Sequence, residues 1–148
     1  MTGGALCDMN IDTQTIEVKT KGNSEVINLS PAIDACVQKS SINDGTLTVF
    51  VIGSTAGITT TEFEPGLANH DLAALFERIA PEHDRYVHEE TWHDDNGHSH
   101  VRATLLGPGI TVPLVEGQLT LGTWQQIILI DFDTRPRDRK IVLQFMGQ

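Results

Sequence analysis

The chain contains little cysteine and no long apolar run, and each of these absences excludes a class of protein. Cys7 and Cys36 are the only cysteines; they form no C-x-x-C pair and no disulfide framework. Free thiols suit a reducing compartment, and the N-terminal residues have neither the basic stretch nor the apolar core of a signal peptide. The longest apolar run near the C-terminus, residues 127–130, is far too short to span a membrane. We therefore expect a cytoplasmic protein.

Basic residues are also scarce, because 10 Lys and Arg face 20 Asp and Glu and give a formal charge of −10. A negative field repels nucleic acid and anionic membranes, which argues against either as a partner. Hydrophobic residues make up 39% of the chain, a slightly lean share that is consistent with a core completed at a subunit interface. The length suits a single domain over residues 1–148, which can bury roughly two-thirds of its unfolded surface without disulfides or a structural metal.

Hydrophobic periodicity predicts an α+β fold of mostly antiparallel, sandwich-like sheets with about two inserted helices. Ser30 followed by Pro31 indicates a helix that runs to about residue 38, and Pro81 ends a second helix over residues 67–80. Residues 82–92 are ambiguous. The first two strands are expected to pair as a hairpin. Strands are predicted over residues 15–18, 25–29, 46–52, 58–62, 98–106, 110–115, 118–121, 125–132 and 140–146.

All six histidines lie between positions 70 and 100, and the densest stretch is residues 94–100. The apolar and polar residues that follow alternate as in a strand, in which side chains two apart share a face. This pattern would place His98, His100, Arg102 and Thr104 together. Two imidazoles beside a guanidinium could bind a divalent metal and a phosphate at neighbouring points. The simpler interpretation is that exposed histidines flank a polar loop.

The predicted metal ligands are His88, His98 and His100, because three imidazoles plus a water form a common catalytic zinc site. Strand periodicity brings two of them together, whereas His88 must arrive by tertiary folding. Zinc is the preferred ion and magnesium the alternative. Asp95, and less so Asp94, could complete the site or orient an imidazole, although adjacent aspartates are also ordinary loop residues.

Three further features are candidates for binding a phosphorylated substrate. Arg102 carries a guanidinium that can grip phosphate oxygens, or it forms a salt bridge across the sheet. The glycine-rich loop at residues 53–57 could present backbone N–H groups to an anion, with Ser54 and Thr55 adding hydroxyls. The basic run at residues 135–140 could attract an anionic substrate, or it could be a solvated hairpin loop.

Several motifs together resemble the YjbQ-like family: residues 98–108, Thr-Val-Pro at 111–113, and the run from Gly117 to the Gly-Thr-Trp-Gln element at 122–125. The resemblance extends from about residue 46 to residue 147. It implies an antiparallel α+β fold, a homotrimer, a bound metal, and an activity sometimes attached to the family, secondary thiamine-phosphate synthase. It also makes Glu62 a candidate ligand or general base, although a solvated strand-end glutamate is the simpler interpretation. Gly53 stands where many bacterial members have a histidine.

The leading hypothesis is a metal-binding enzyme that acts on a phosphorylated small molecule, with a thiamine-phosphate-synthase-like transfer or a metal-assisted hydrolysis as the reaction. The alternative is a non-catalytic, trimeric metal- or small-molecule-binding protein. An enzyme needs a general base near the imidazoles, and the sequence offers Glu62, Asp94 and Asp95 for that role.

Overall fold

The computed structural model describes residues 8–148 and confirms an α+β fold built mostly from antiparallel strands. Across this part of the chain there are four α-helices rather than the two expected, and none is long and apolar enough to cross a membrane. A π-helical turn, Leu67–Asp71, leads directly into the second helix. The strands are β1 (Asn10–Thr20), β2 (Glu25–Asn28), β3 (Gly45–Val51), β4 (Ala56–Glu62), β5 (Gly109–Val115), β6 (Gln118–Leu119), β7 (Gln125–Asp131) and β8 (Arg137–Gly147), and the helices are α1 (Ser30–Val37), α2 (Leu72–Ile79), α3 (Val87–Trp92) and α4 (Gly97–Leu106).

Two antiparallel sheets enclose the main core. The first has the strand order β1-β8-β3-β5-β6 and the second the order β2-β7-β4. Alternate residues of both sheets point into a shared apolar layer, which is the arrangement expected when two amphipathic sheets cover each other. The members of this layer that lie in strands β3, β4, β7 and β8 are Leu47, Val49, Val51, Ala56, Ile58, Ile127, Leu129, Ile141, Leu143 and Phe145.

The three-stranded sheet is buried on both faces, which explains its uninterrupted apolar strand. Ile127 and Leu129 of β7 face the layer between the sheets. Ile128 and Ile130 face the other way and pack with Phe76 of α2 and with α4. Continuous apolar runs are typical of strands covered on both sides. The molecule is therefore layered as sheet, sheet and helices, with α4 in the third layer.

The prediction of a strand over residues 98–106 is wrong, because this segment forms helix α4. The alternation of Val101 and Leu105 with polar neighbours indicated a strand, yet both side chains are exposed. The buried positions are 97, 98, 99, 102 and 103, and the last four of these fall on one face of a helix. Three of these five buried residues are polar and one is glycine, so an argument from apolar residues alone could not detect the helical pattern.

Two smaller expectations are also wrong. The first two strands do not form a hairpin, because β1 pairs with β8 and β2 pairs with β7. The basic run at residues 135–140 is not a loop throughout, since Arg137 begins strand β8. The hairpin of β5 and β6 is confirmed by the pairs Leu114–Leu119 and Val115–Gln118.

Candidate functional site

Helix α4 separates the residues that the strand prediction had placed on one face. Successive residues of an α-helix are rotated by about 100°, so positions two apart point in nearly opposite directions. His98 and Arg102, four apart, lie on the buried side with 1% and 4% exposure. His100 lies on the other side and is half-buried. The predicted metal set of His88, His98 and His100 is therefore not brought together.

His100 lies beside His88 of α3. Their ring centroids are 4.6 Å apart, in an edge-to-face arrangement. His100 Nδ1 is 3.1 Å from the carbonyl oxygen of Ser54, and a carbonyl only accepts, so Nδ1 carries the proton and donates. This assignment leaves the Nε2 atom of His100 as an unprotonated nitrogen that can take a proton or bind a cation.

Asp94 and Asn96 complete this group, which we call the His88–His100 cluster (His88, Asp94, Asn96 and His100). The Nε2 atom of His88 is 3.3 Å from Asp94 Oδ1. The Asn96 amide is oriented with its nitrogen towards the carboxylate, because the reverse would set acceptor against acceptor; it then lies 3.1 and 3.2 Å from the two oxygens of Asp94. Asp94 is thus held next to an imidazole, where it can orient the ring.

The short connection between α3 and α4 brings the two imidazoles together. After α3, His93 adopts a left-handed φ of 55° and reverses the chain. The first turn of α4 then packs on Tyr86, so closely that a Cβ at Gly97 would lie 2.4 Å from the Cβ of Tyr86. Glycine at this position lets α4 return alongside α3, and His88 and His100 meet as a result.

An open cavity of about 390 Å³, which we call the Gly53 pocket, adjoins the cluster. Asn96 and His100 form part of its wall, and the loop at residues 53–55, between β3 and β4, forms another part. Asp133 and the β8 residues Arg137 and Arg139 also line it. The pocket therefore combines residues from distant parts of the chain, and it has an imidazole at its edge.

The loop at residues 53–55 presents unused hydrogen-bond donors. Its three backbone N–H groups have no acceptor within residues 8–148. Gly53 has φ +137°, and a Cβ there would lie 2.8 Å from the Nη1 atom of Arg139, so a side chain at this position would be both strained and obstructed. Nη1 of Arg139 also has no acceptor in the described part of the chain, because Nε and Nη2 make all the hydrogen bonds of this guanidinium.

Two arginine–aspartate pairs lie beneath this loop. Arg139 donates from Nε and Nη2 to the buried Asp131 at 2.6 and 2.7 Å, a bidentate pair. Its Nη2 also donates to Thr55 Oγ1 at 2.7 Å, and Thr55 donates in turn to Asp133 Oδ2 at 2.9 Å. Arg137 donates from Nε to the same Oδ2 atom at 2.9 Å.

Asp133 remains ionised in this setting. Burial, the largest single influence, raises its pKa, but hydrogen bonds from Arg137 and Thr55 and the nearby charges of Arg137 and Arg139 together leave the pKa below its ordinary value of 3.8. A buried carboxylate held by two guanidinium groups and a hydroxyl is a rigid element of the pocket. The sequence indicated the basic run but gave no sign that Asp133 lies among its arginines.

The opposite side of α4 is occupied by internal contacts. Arg102 donates to the carbonyl of Ala80 at 2.9 Å, to Ser24 Oγ at 3.1 Å and to Glu77 Oε2 at 2.5 Å. Each nitrogen of this guanidinium thus has an acceptor within the protein. Its salt bridge is to Glu77 of helix α2 and does not cross a sheet. His98 packs near Tyr86, with ring centroids 6.2 Å apart, and burial lowers its pKa.

Two of the three predicted general bases, Glu62 and Asp95, lie outside the His88–His100 cluster. Glu62 is exposed at the end of β4, opposite Gln125. Asp95 is exposed and accepts hydrogen bonds from Thr134 at 2.9 Å and Arg135 at 3.4 Å; the bond from Thr134 is the main cause of its lowered pKa. Asp94, the less favoured of the two aspartates, is the one beside an imidazole.

The donor set of the cluster suits zinc in kind, since imidazole and carboxylate are both good zinc ligands. Its arrangement does not provide a complete site, because no three His, Cys, Asp or Glu side chains among residues 8–148 are grouped so that they could hold a metal ion. The two imidazoles and Asp94 fall short of the three converging protein ligands that a catalytic zinc ion requires. An ion at this cluster would therefore need further ligands beyond those that the described residues supply.

Comparison with known proteins places the chain in a family. The family model for "UPF0047 protein YjbQ-like" matches residues 14–148. The chain is 34% identical over 140 residues to a UPF0047 protein of Methanothermobacter thermautotrophicus, covering 95% of each chain. It is 33% identical over 138 residues to a UPF0047 protein of Mycobacterium tuberculosis, covering 92% of this chain and 98% of that protein.

Solved structures agree with this relationship. A YbjQ-like protein of unknown function from Sulfolobus solfataricus has a TM-score of 0.89 at 32% identity and covers 95% of this chain and 100% of its own. A hypothetical protein from Aeropyrum pernix has a TM-score of 0.86 at 28% identity, covering 93% of this chain and 99% of its own. The resemblance noted in the sequence is confirmed, and the chain belongs to the UPF0047, YjbQ-like family.

Proposed function

We propose that this protein is an enzyme that acts on a phosphorylated small molecule bound in the Gly53 pocket. The observation that carries the proposal is that residues with unused donors line one pocket beside the imidazole of His100. These donors are the three N–H groups of residues 53–55 and Nη1 of Arg139. Arg137 adds two terminal nitrogens that have no acceptor within residues 8–148, on a side chain that is 44% exposed.

Such a group of donors suits phosphate. Successive backbone N–H groups in a turn bind anions, and a guanidinium adds charge-assisted hydrogen bonds in a planar fork. Ser54 of the same loop is exposed and adds a hydroxyl. The protein is negative overall, so a local group of cationic and N–H donors is needed to attract an anion into this pocket.

His100 supplies the acid–base group. Its Nδ1 proton is committed to the Ser54 carbonyl, so Nε2 takes the proton from an attacking water or hydroxyl and returns it to a leaving group. His88 and Asp94 support the ring from one side. A phosphoryl hydrolysis uses both steps. In the thiamine-phosphate-synthase-like transfer that the family resemblance suggests, the attacking thiazole nitrogen carries no proton, the bond between carbon and the diphosphate oxygen breaks, and a protonated His100 would only assist the departure of pyrophosphate.

A divalent metal at the His88–His100 cluster is a separate proposal, with zinc first and magnesium as the alternative. When bound, it would neutralise negative charge on a phosphorylated substrate. Elemental analysis of untagged protein after zinc soaking tests it: a stoichiometric ion that is lost in His100→Ala supports the site, and the absence of zinc overturns it.

The competing proposal is a non-catalytic binding protein, trimeric as the family resemblance implies. The lack of three converging metal donors within residues 8–148 favours it over a metalloenzyme. It predicts phosphate binding without turnover. In both cases we propose a cytoplasmic homotrimer that binds neither nucleic acid nor membranes.

The deciding experiment compares wild-type protein with His100→Gln. The substrates are p-nitrophenyl phosphate, pyrophosphate, and a pyrimidine diphosphate supplied with a thiazole phosphate. We expect turnover of one of them to fall by about 10²–10⁴-fold in His100→Gln, while calorimetric affinity for inorganic phosphate persists.

His70→Gln is the matched control, because His70 is exposed and lies outside the Gly53 pocket. It should retain full turnover. Phosphate binding with no turnover of any substrate supports the non-catalytic protein, and failure to bind phosphate at all overturns both proposals.

A further inference from the structure

We infer that Asp95 is a positioning residue, which holds the first turn of α4, with His100, against the segment that carries Arg137. The inference rests on the proposed function, because it states what keeps the parts of that site in register. Asp95 acts through its neighbours, since it lies outside the His88–His100 cluster and does not line the Gly53 pocket.

Three segments of the chain surround the pocket. The 53–55 loop offers unused N–H groups, and the 94–100 segment, which ends in the first turn of α4, carries the imidazole of His100. The 132–137 segment, from the end of β7 to the start of β8, brings Arg137. Groups from different segments can act on one ligand only while the segments keep their relative positions, and a displacement of about 1 Å can cost about 10²-fold in rate.

Hydrogen bonds join the 53–55 loop to both of the other segments. His100 Nδ1 donates to the carbonyl oxygen of Ser54 at 3.1 Å, which joins this loop to the 94–100 segment. Thr55 Oγ1 donates to Asp133 Oδ2 at 2.9 Å, which joins the loop to the 132–137 segment. A direct connection between the imidazole and the guanidinium segments would complete a triangle.

Asp95 makes that connection. Thr134 Oγ1 donates to Asp95 Oδ1 at 2.9 Å, and Arg135 Nη2 donates to the same oxygen at 3.4 Å. The bond from Thr134 is the main cause of the lowered pKa of Asp95, so the carboxylate is ionised at neutral pH and the bond is charge-assisted. Asp95 stands between Asp94 and Asn96 of the cluster, so the backbone that this bond fixes is the backbone that carries them.

A second hydrogen bond joins the same two segments on the buried side of α4. Ser99 is fully buried, and its Oγ donates to the carbonyl oxygen of Phe132 at 2.5 Å. A single attachment would leave the first turn of α4 free to rotate about it, whereas two attachments four residues apart fix its orientation. The side chain of Asp95 is 71% exposed, so its bond contributes little to overall stability and mainly sets the direction of the His100 ring.

The test separates binding from alignment. Inorganic phosphate is titrated into protein that contains nitrogen-15-labelled histidine; NMR follows the imidazole signals of His100, and calorimetry measures the affinity. Bound phosphate should shift these signals in the wild-type protein. In Asp95→Ala we expect the affinity to stay within about 3-fold of wild type, while the shift at saturation falls by at least about half. For any substrate that the wild-type protein turns over, kcat should fall about 10–100-fold with KM nearly unchanged.

Matched variants distinguish the bond from the charge. Asp95→Asn retains an oxygen for Thr134 and should keep most of the response, whereas Thr134→Val should lose as much of it as Asp95→Ala. The double variant should lose no more than either single variant, because both substitutions remove the same bond. Asp84→Ala is the control, because Asp84 is an exposed aspartate that lines a cavity with Asp95 outside the Gly53 pocket.

The outcomes separate this inference from the proposed function. A His100 response of wild-type size in both Asp95→Ala and Thr134→Val overturns the inference while phosphate binding stands. An equal loss in Asp95→Asn and Asp95→Ala would show that the charge matters and the bond does not, which also overturns it. If the wild-type protein binds no phosphate, or binds it without a response of His100, the proposed enzyme and the inference fall together. Thr134→Val decides the matter if Asp95→Ala does not fold.

Discussion

Each side of α4 has histidine, arginine and carboxylate side chains next to it. The two sides differ in what the arginine guanidinium groups contact. On the buried side, the three nitrogens of the Arg102 guanidinium donate hydrogen bonds to Ala80, Ser24 and Glu77, one to each. On the His100 side, Arg137 and Arg139 are anchored to aspartates through some of their nitrogens and leave others without an acceptor in residues 8–148.

This difference separates a structural arginine from one available to a ligand. A guanidinium with all nitrogens bonded internally holds elements together, and releasing it to bind a substrate would cost those bonds. A guanidinium anchored by one edge is oriented by the protein and still has donors to offer. Composition does not distinguish the two sides, because both contain the same residue types.

The largest expected effect is on the buried side. Arg102→Met should lower the free energy of unfolding by about 2–3 kcal/mol, because three acceptors lose their partner; the cost stays below that of a fully buried pair since Glu77 is 51% exposed. Urea denaturation followed by circular dichroism measures it. Arg78→Met, at an exposed position of α2, is the control and should change stability little.

The opposite result would reverse the comparison. If Arg102→Met keeps its stability and loses phosphate affinity, then Arg102 is the substrate ligand that the sequence suggested.

A smaller effect is expected in the Gly53 pocket. Arg137→Gln should weaken inorganic phosphate binding about 10-fold, since it removes charge-assisted donors from a half-exposed side chain. Calorimetry at two salt concentrations measures it, and the salt dependence should decrease as well. Arg135→Gln is the matched control, because Arg135 is exposed and pairs with Asp95 outside the pocket. An equal loss in both variants would show that only general charge matters.

The smallest effect is a pH dependence of stability from His98. Burial lowers the pKa of its imidazole below the ordinary 6.5, so the unfolded chain binds this proton more readily than the folded protein does. Stability should therefore be greatest above that value and fall as the pH drops from about 7.5 to about 5.5. In His98→Asn the decline over this range should be shallower, as measured by urea midpoints, whereas His70→Asn should leave the slope unchanged. An unaltered slope in His98→Asn would show that His98 is not held in its neutral form.

Much of the fold could be predicted from local patterns. Ser30-Pro31 marks the start of α1, Pro81 follows the end of α2, and the apolar run at residues 127–130 identifies the core strand β7. These signals depend on neighbouring residues and on burial of apolar side chains, which the sequence displays directly. The pairing of β1 with β8 was not predictable in this way, because it joins the two ends of the chain.

The candidate site was predicted only in part. The sequence indicated the histidine-rich segment, the glycine loop and the basic run as separate features, and it identified His88, His100, Ser54 and Thr55 among them. It selected Asp95 instead of Asp94, and it grouped Arg102 with the imidazoles because the segment was taken for a strand. Asp133 was missed altogether, since an aspartate after a core strand has no distinguishing local pattern.

The sequence by itself determined which chemical groups this protein possesses and which stretches must be buried. Tertiary structure alone decided which of those groups are free to meet a ligand. Thr55 and Asp133 are 78 positions apart yet share a hydrogen bond, while His98 and His100, separated by one serine, point to opposite sides of a helix. Proximity along the chain fixes local geometry, but the availability of a donor depends on whether a distant part of the chain has already supplied its acceptor.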